Sequence, residues 1–395
     1  MIRELLRGHK SVNACARAAH VSRTTVWKWR ARFWREGRRG LRDRSRRPQR
    51  LAGQTAQVWV RRIERLRRKE AEWGAKKLQA KLRSRWGGRG LPCVRTIARW
   101  VRRLGLARGR RARPRKAGRA RHPLLTRPRR ANAVWTVDFK GWFRTGDGTR
   151  VEPLTVRDLF SRYGLAVRLL PDQRWQPVQA VFAGLFRRHG LPQVIRVDNG
   201  GPFASNGPAG LSRLSVWWWR LGIRVEFTRP GHPEDNGAHE QFHRVLKRET
   251  IQPAAPTRQG QQHRTSVWLK RYNQERPHEA LHQRVPTKLY RTQGRRYVRR
   301  LPPVKYPAGW VVRRVRSNGE IRWRGRKRFV GEAFVGQAVG LRRKRRGVWR
   351  VYFLTLEIGH LHETDAGAMR PMVYRHRYRT PPKQKSVNHV LSPKC

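Results

Sequence analysis

Acidic side chains are what this sequence has least of. In 395 residues, 24 Asp and Glu stand against 94 Lys and Arg, a formal net charge of +70. Self-repulsion at that charge opposes compaction unless a polyanion relieves it, so nucleic acid is the expected partner and a cationic one is excluded. Cysteine is nearly absent too: Cys15, Cys93 and Cys395 are far apart and odd in number, which excludes a disulfide framework and a four-cysteine zinc site. No apolar run approaches the ~18 residues of a membrane span, and the first ten residues lack a signal-peptide core. A cytoplasmic, nucleoid-associated protein is therefore expected. With 37% hydrophobic residues and 17 Trp, disorder throughout is excluded. The length, 395 residues, exceeds the ~250–300 at which single cores stop growing, so several domains are expected.

Where acids are rare, their positions carry information. Residues 1–130 hold six: Glu4, Glu36, Asp43, Glu64, Glu70 and Glu72. The next 120 residues, 131–250, hold eleven, among them Asp138, Asp158, Asp198, Glu234, Asp235 and Glu240. A DNA-binding chain should shed carboxylates wherever they repel phosphate. Those kept in the centre invite a chemical explanation, although caps and salt bridges account for some.

Residues 11–33 read as two short helices around a turn. Val12, Cys15, Ala16 and Ala19 form one apolar face, and Val26, Trp27 and residues 29–33 continue the second. Ser22 is placed to cap the following helix, and His20 takes the turn position usually given to Gly. This is a helix-turn-helix pattern, whose second helix would turn Ser22, Arg23, Thr24, Thr25 and Lys28 toward DNA. An Arg-rich connector follows. Val58, Ile63, Leu66, Leu78, Leu82, Ile97, Trp100, Val101 and Leu104 then repeat the helical spacing, giving a second helix-turn-helix unit over 74–85 and 94–104. Residues 102–130 carry 13 Lys or Arg and no acid, so they should form a linker that is disordered or ordered by DNA.

At Ala131 the period changes. Residues 134–140, 152–158 and 164–170 read as strands, 178–188 as a helix, and 193–198 as a strand stopped by Asn199-Gly200-Gly201. A helix over 211–221, a strand over 224–227 and a helix over 238–250 complete a mixed α/β sheet whose first three strands meander. Beyond Ala280, short strands around Gly turns at 321–323, 327–330, 338–342, 347–354 and 358–362 suggest a small SH3-like β-barrel, followed by a frayed basic tail.

Asp138 closes one strand, Asp198 ends another, and Glu240 lies on the first turn of a helix. Three carboxylates converging on a crevice would repel one another unless a divalent cation were present. Two Mg²⁺ ions ~3.5–4 Å apart would neutralise them and clamp attacking and leaving oxygens in a phosphoryl displacement. Mg²⁺ is hard and prefers carboxylate oxygen; Mn²⁺ would substitute. His232, His239 and His243 lack Cys partners, so zinc is set aside. His243, Arg244 and Lys247 follow Glu240 on its helical face and could steer phosphate. Asp158 is read as organising the turn at 160–163.

The strings around these acids, "WTVDFKG", "RVDNGGPF" and "RPGHPEDNGAHEQFHRVLKRE", resemble the D, D and E blocks of insertion-sequence transposases with a retroviral-integrase-like core. "YNQERPHEAL" is similar to the block that follows them. "WGAKKLQAKL" and "RTIARWVRRLGL" resemble that family's second DNA-binding unit, and residues 319–363 its C-terminal barrel. The resemblance runs nearly end to end. It implies a ribonuclease-H-like core, divalent metal, and cleavage plus strand transfer on double-stranded DNA, at element terminal repeats and at a target. It implies a homo-oligomer in the DNA complex. The family pattern places the third ligand on Glu240 rather than Glu234, and leaves Asp235 and Asn236 as helix caps. The expected organisation is helix-turn-helix 1–48, second helical unit 51–106, basic linker 107–130, catalytic core 131–292, barrel 315–365 and tail 370–395. The first helix is clipped relative to that family, which leaves an upstream start or a frameshifted partner frame open. The rival reading is a basic DNA-binding or regulatory protein that keeps the fold without the chemistry.

Overall fold

The computed structural model describes residues 4–5, 8–43, 54–107, 125–229, 232–292, 294–365 and 367–372. Much of the Arg-rich connector, most of the basic linker and all but the start of the tail lie outside them. The chain divides into two compact units, Met1–Ala56 and Gln57–Cys395.

In the first unit, α1 (Val12–Ala18) and α2 (Arg23–Glu36) start on serines whose hydroxyls accept backbone N–H groups, Ser11 from Ala14 and Ser22 from Thr25. Each cap satisfies an otherwise orphaned donor. His20 turns the chain between them at φ 50°, the left-handed region. The core is small: Cys15, Ala16 and Val26. Two short helices cannot bury a broad apolar face, and here the sequence expectation needs correction. Trp27 does not continue the core but is 53% exposed, as is Trp34 beyond the expected face at 70%.

The second unit begins with α3 (Gln57–Lys69), α4 (Ala75–Trp86) and α5 (Val94–Arg103). They close over Trp59, Ile63, Leu78, Leu82 and Ile97. Arg67 knots them, donating from Nη1 to the Trp73 carbonyl at 2.7 Å and from Nε and Nη2 to that of Leu106. Ion pairs join these helices to the α/β region: Glu70–Arg271 (2.6 Å), Glu72–Arg248 (3.4 Å), Lys81–Glu275 (3.3 Å) and Lys76–Glu279 (2.5 Å).

The α/β region is built on one sheet. β1 (Val134–Phe139) lies antiparallel to β3 (Arg150–Asp158), which pairs antiparallel with β4 (Gly164–Leu170). β2 (Phe143–Arg144) continues along β3 past the last pair of β1. On its other side β1 runs parallel to β5 (Val194–Val197), and β5 parallel to β6 (Arg224–Phe227). The spatial order is therefore β4-β3-β1-β5-β6, a meander joined to two parallel strands. That is the ribonuclease-H-like arrangement. The crossover helices α6 (Trp175–His189) and α7 (Arg213–Arg220) bury Phe182, Phe186, Trp218 and Trp219 with Trp135, Val137, Leu154 and Ile195 of the sheet. Helices α8 (Gly237–Leu246) and α9 (Arg258–Gln274) pack with β4 around Val167, Phe242, Trp268 and Tyr272. Gly164 lets this packing close, because a Cβ there would stand 2.4 Å from Leu269 Cδ1 and move that side chain. α8 ends in a π-helical turn at Lys247–Ile251.

The C-terminal region is β-rich. β7 (Val311–Arg314), β10 (Ala338–Arg345), β11 (Val348–Phe353), β12 (Leu356–His362) and β13 (Arg370–Pro371) form a sheet in the order β13-β12-β11-β10-β7, beside a hairpin of β8 (Glu320–Trp323) and β9 (Arg326–Phe329). Among the described residues the sheet order is open, so of the expected SH3-like barrel the β-rich region is present and closure is not. The margins of two expected segments are also fixed. Thr126, inside the expected linker, donates its N–H to Glu226, and Arg370, where the expected basic tail begins, opens β13; the frayed stretch expected from Arg375 lies outside the described residues. Among the described residues, no helix is long and apolar enough to cross a membrane.

Candidate active site

Parallel pairing brings two acids together. Val134 pairs with Val194, Trp135 with Ile195 and Thr136 with Arg196. Continuing that register by two residues sets Asp138 opposite Asp198. Both lie at the carboxyl ends of neighbouring parallel strands, where α/β sheets open a crevice. Each is short of donors. Asp138 Oδ2 accepts from Asn236 Nδ2 at 3.3 Å, and Asp198 Oδ1 from the Gly200 N–H at 3.2 Å. A Cβ on Gly200 would come within 3.2 Å of Asp198 Oδ2 and press on that carboxylate. Asn199 anchors the turn by donating to the Thr228 carbonyl at 2.6 Å. Its own Oδ1 is buried without a partner among the described residues.

The electrostatics follow. Burial first, then the Asp198 charge, push the Asp138 carboxyl up to about 7, against its Phe139 backbone hydrogen bond and Lys140; Glu240 adds a smaller upward push. Burial likewise raises Asp198. A pair of carboxylates in this state costs free energy when ionised, and a cation is the direct remedy. The donor set is carboxylate oxygen, the type a hard divalent ion takes.

The third acid is not gathered with them. Glu240 lies on the first turn of α8 with an exposed side chain. Among the described residues, no group of three or more His, Cys, Asp or Glu side chains stands at metal-binding spacing.

Helix α8 is nevertheless pinned to β1 and β3 beside Asp138. The Thr155 hydroxyl donates to the Asp138 carbonyl at 2.9 Å and meets His239 Nε2 at 2.5 Å and His243 Nε2 at 2.7 Å. One hydroxyl proton serves one acceptor, so both imidazoles donate from Nε2. His239 Nδ1 then accepts from Thr136 Oγ1 at 2.9 Å. Arg157 adds a hydrogen bond to the Ala238 carbonyl. Burial holds His239 well below its usual range and His243 at about 3. Both rings are neutral, so the 3.8 Å approach of His243 Nδ1 to Asp138 Oδ2 is no ion pair.

Three expectations change accordingly. His243 does not face phosphate with Arg244 and Lys247; it is 8% exposed and turned to the sheet, because its ring completes the Thr155 network. Arg244 and Lys247 are exposed. Asp235 is no helix cap, since Arg229 takes it at 2.9 Å from both Nε and Nη2. Asn236 occupies the cap position of α8 without a side-chain cap bond and reaches Asp138 instead. The residues that sequence reasoning missed are Thr136, Thr155, Arg157 and Asn236. The available signal was polarity inside β3, where Thr155, Arg157 and Asp158 interrupt a buried strand.

On the first unit, Ser22, Arg23, Thr24 and Lys28 are exposed and Thr25 is half-buried. Ser22 Oγ stands 2.7 Å from Thr24 Oγ1 and 2.9 Å from Thr25 Oγ1, so these hydroxyls are partly engaged at the helix start.

Known proteins divide the chain in the same way. The Helix-turn-helix domain family matches residues 1–49, and two Integrase core domain families match 128–233 and 221–286. The C-terminal domain of IS481 family transposases matches 310–366. The "Insertion element IS407 uncharacterized 31.7 kDa protein" of Burkholderia multivorans is 27% identical over 194 residues, 49% of this chain and 67% of that protein. The Gag-Pol polyprotein of baboon endogenous virus is 29% identical over 141 residues, 33% of this chain but 7% of the polyprotein. Among solved structures, the HTLV-2 integrase catalytic core in complex with magnesium covers 42% of this chain at 15% identity, TM-score 0.34. A simian T-cell lymphotropic virus intasome in complex with PP2A regulatory subunit B56 gamma covers 79% at 16% identity, TM-score 0.37.

Sheet order, paired aspartates and matched segments together define a DNA-binding enzyme of the polynucleotidyl transferase type with an integrase core. Its helix-turn-helix start and IS481-type C-terminal segment narrow the class: these matches support an insertion-sequence transposase with an integrase-like core.

Proposed function

We propose that Asp138, Asp198 and Glu240 are the catalytic carboxylates with which this transposase nicks element ends and joins them to target DNA. The observation that carries the reading is the in-register pair at the ends of β1 and β5, underpartnered and raised in pKa. Two Mg²⁺ ions, or Mn²⁺ in their place, are the proposed cofactors. When bound, such ions supply the positive charge that stabilises attacking and leaving oxygens in an in-line displacement. Asp138 and Asp198 hold that charge at the crevice, while Asn236 orients the Asp138 carboxylate. Glu240, on the first turn of α8, would be the third carboxylate to hold the cations. Arg244 and Lys247, exposed on the same helix and the turn after it, meet phosphate.

Around this core the domain scheme is proposed as expected. The helix-turn-helix unit (1–48) reads terminal repeats through Ser22, Arg23, Thr24, Thr25 and Lys28, and the second helical unit (51–106) adds contacts. The linker (107–130) tracks the DNA backbone to the core (131–292). The C-terminal β region (315–365), an SH3-like module, and the tail (370–395) bind further DNA. The working form is a homo-oligomer on double-stranded DNA, in the cytoplasm at the nucleoid.

The test is relaxation of supercoiled plasmid carrying the terminal repeats, with Mg²⁺ and then with EDTA. Nicking that requires the cation and disappears in Asp198→Asn, with DNA binding retained, is expected. Cation-independent nicking, or an active Asp198→Asn, overturns the assignment. Binding without any nicking leaves the DNA-binding rival standing.

A further inference from the structure

Four residues beyond Asp138 stands an aromatic ring that the fold leaves in water. Trp142 is 55% exposed, and among the described residues of 131–292 it is the one exposed aromatic side chain. Elsewhere in the same sheet-and-helix region, Phe182, Phe186, Phe203 and Trp218 are buried in the core, and Phe139 and Trp217 pack against it. Leaving an indole in water forfeits hydrophobic stabilisation that burial would supply.

The ring is prepared rather than loose. The Arg150 guanidinium lies over it, 4.9 Å from the ring centre. Arg150 is itself tied by a 2.7 Å bond from Nη2 to Glu152 Oε1, and Glu152 is 3% exposed, its other oxygen accepting from Gln173 at 3.1 Å. In a chain of 24 acids, one is buried to hold an arginine on a tryptophan. The strand pair beneath is rigid. Phe143 pairs with Val151 and Arg144 with Arg150, and Asp147 closes the turn by accepting from Thr145 and Thr149. The backbone N–H groups of Gly146 and Asp147 donate to the carbonyls of Ala255 and Pro256 at 2.9 and 2.7 Å, which docks the turn on the body. Lys140 and Arg144 flank Trp142 in sequence and add positive charge to this stretch of chain.

A fixed, exposed indole backed by a guanidinium and flanked in sequence by cations suits a flat π-system carrying negative charge: a nucleobase on its phosphate backbone. Four residues of chain span at most ~14 Å, so the platform lies within about four nucleotides of Asp138 at ~3.4 Å per step. A base inside duplex is stacked on both faces and has none to offer. We propose that Trp142, held by Arg150 and Glu152, stacks an unpaired base near the scissile phosphate and so favours a frayed DNA end. The inference rests on the transposase reading for the identity of the scissile strand.

The test uses the full-length protein in EDTA, so that no bond is broken, and measures binding to blunt and forked duplexes at fixed salt. The forked set carries an abasic site at each of the first few frayed nucleotides. Trp142→Ala is expected to weaken forked-duplex binding about ten-fold, and Trp142→Phe to restore most of it. At one abasic position the Trp142→Ala loss should shrink to within about two-fold, since the ring then has no base to stack. Equal losses on blunt, forked and every abasic duplex, or no loss at all, overturn the proposal. If the coupling appears but Mg²⁺ gives wild-type protein no nicking, the stacking site stands and the catalytic reading falls.

Discussion

The two ends of the β1–β3 pair each carry an aspartate, Asp158 buried and Asp138 half-buried, and they treat it in opposite ways. Antiparallel register sets Asp158 beside Trp135, at the start of β1, whereas Asp138 closes the same strand. Asp158 is surrounded by donors: Asn132 N–H at 2.8 Å, Ser161 N–H at 2.7 Å and Ser161 hydroxyl at 2.6 Å. Burial raises its pKa, and every other influence on it, from Ser161, Asn132 and Arg157, works downward. At Asp138 burial acts together with a like charge on Asp198, and one side-chain donor stands at 3.3 Å. A structural carboxylate is matched where it lies. A carboxylate left short beside another is what the proposed cation site calls for.

Exchange of charge for amide should separate the two ends most sharply. Asp138→Asn removes a repulsive partner from the crevice, so its thermal midpoint should hold or rise while nicking falls on the order of a thousand-fold. Asp158→Asn should do the reverse. Its amide NH₂ turns against donors, costing about 1–3 kcal/mol of stability while activity per folded molecule is retained. Denaturant melts and single-turnover nicking on both variants decide it. A silent Asp138→Asn, or an Asp158→Asn that is stable but inactive, would invert the comparison.

The contact joining helix to sheet gives a smaller effect. Thr155→Val keeps the shape but strips the hydroxyl shared by the Asp138 carbonyl, His239 and His243. Two buried imidazole donors are then unmet, at about 1–2 kcal/mol, and nicking should fall about ten-fold as α8 loses its seat. Thr155→Ser should recover both. If Thr155→Val loses stability alone, with nicking per folded molecule unchanged, the network is structural and does not place Glu240.

These residues also mark where the sequence was readable. The strands of the sheet were legible because they alternate or run apolar, and Asp138 and Asp198 because each terminates such a run. Thr155, His239 and His243 were not, since their partners lie 84 and 88 residues apart and only the fold brings them together. Helix α9 escaped for a different reason. Its buried positions Gln261, Thr265, Trp268, Tyr272 and Asn273 have helical spacing, but three are polar and carry no hydrophobic signal. Gln261 is spent on the Ala255 N–H and the Thr250 carbonyl, and Asn273 on both backbone groups of Gly164. The "YNQERPHEAL" block likewise does structural duty, with Arg276 holding Glu249 at 2.6 Å. Glu240 was legible by resemblance, yet the fold alone leaves it outside the pair.

The smallest expected effect is a pH-dependent gain in stability from cation. With the native Asp138 carboxyl at about 7 and an ordinary value of 3.8, the unfolded chain gives up this proton first as pH rises. Cation-free stability attributable to Asp138 should therefore decline between about pH 4 and pH 7 and level off above, because the native state binds the extra proton. A divalent cation competes with that proton. Near pH 5.5 only ~3% of such a group is ionised, so apparent cation affinity should be roughly thirty-fold weaker than near pH 8. The midpoint shift on adding Mg²⁺ should thus be a few degrees at about pH 8 and nearly absent at about pH 5.5. A chain of net charge +70 offers cations little elsewhere, so the background is low. Histidine titration also alters stability across this window, but with or without Mg²⁺, and cancels in the difference. Asp138→Asn should abolish the pH dependence of the shift, whereas Asp158→Asn should leave it intact. An Mg²⁺ shift equal at both pH values, or one that survives in Asp138→Asn, would show that the cation binds away from the crevice.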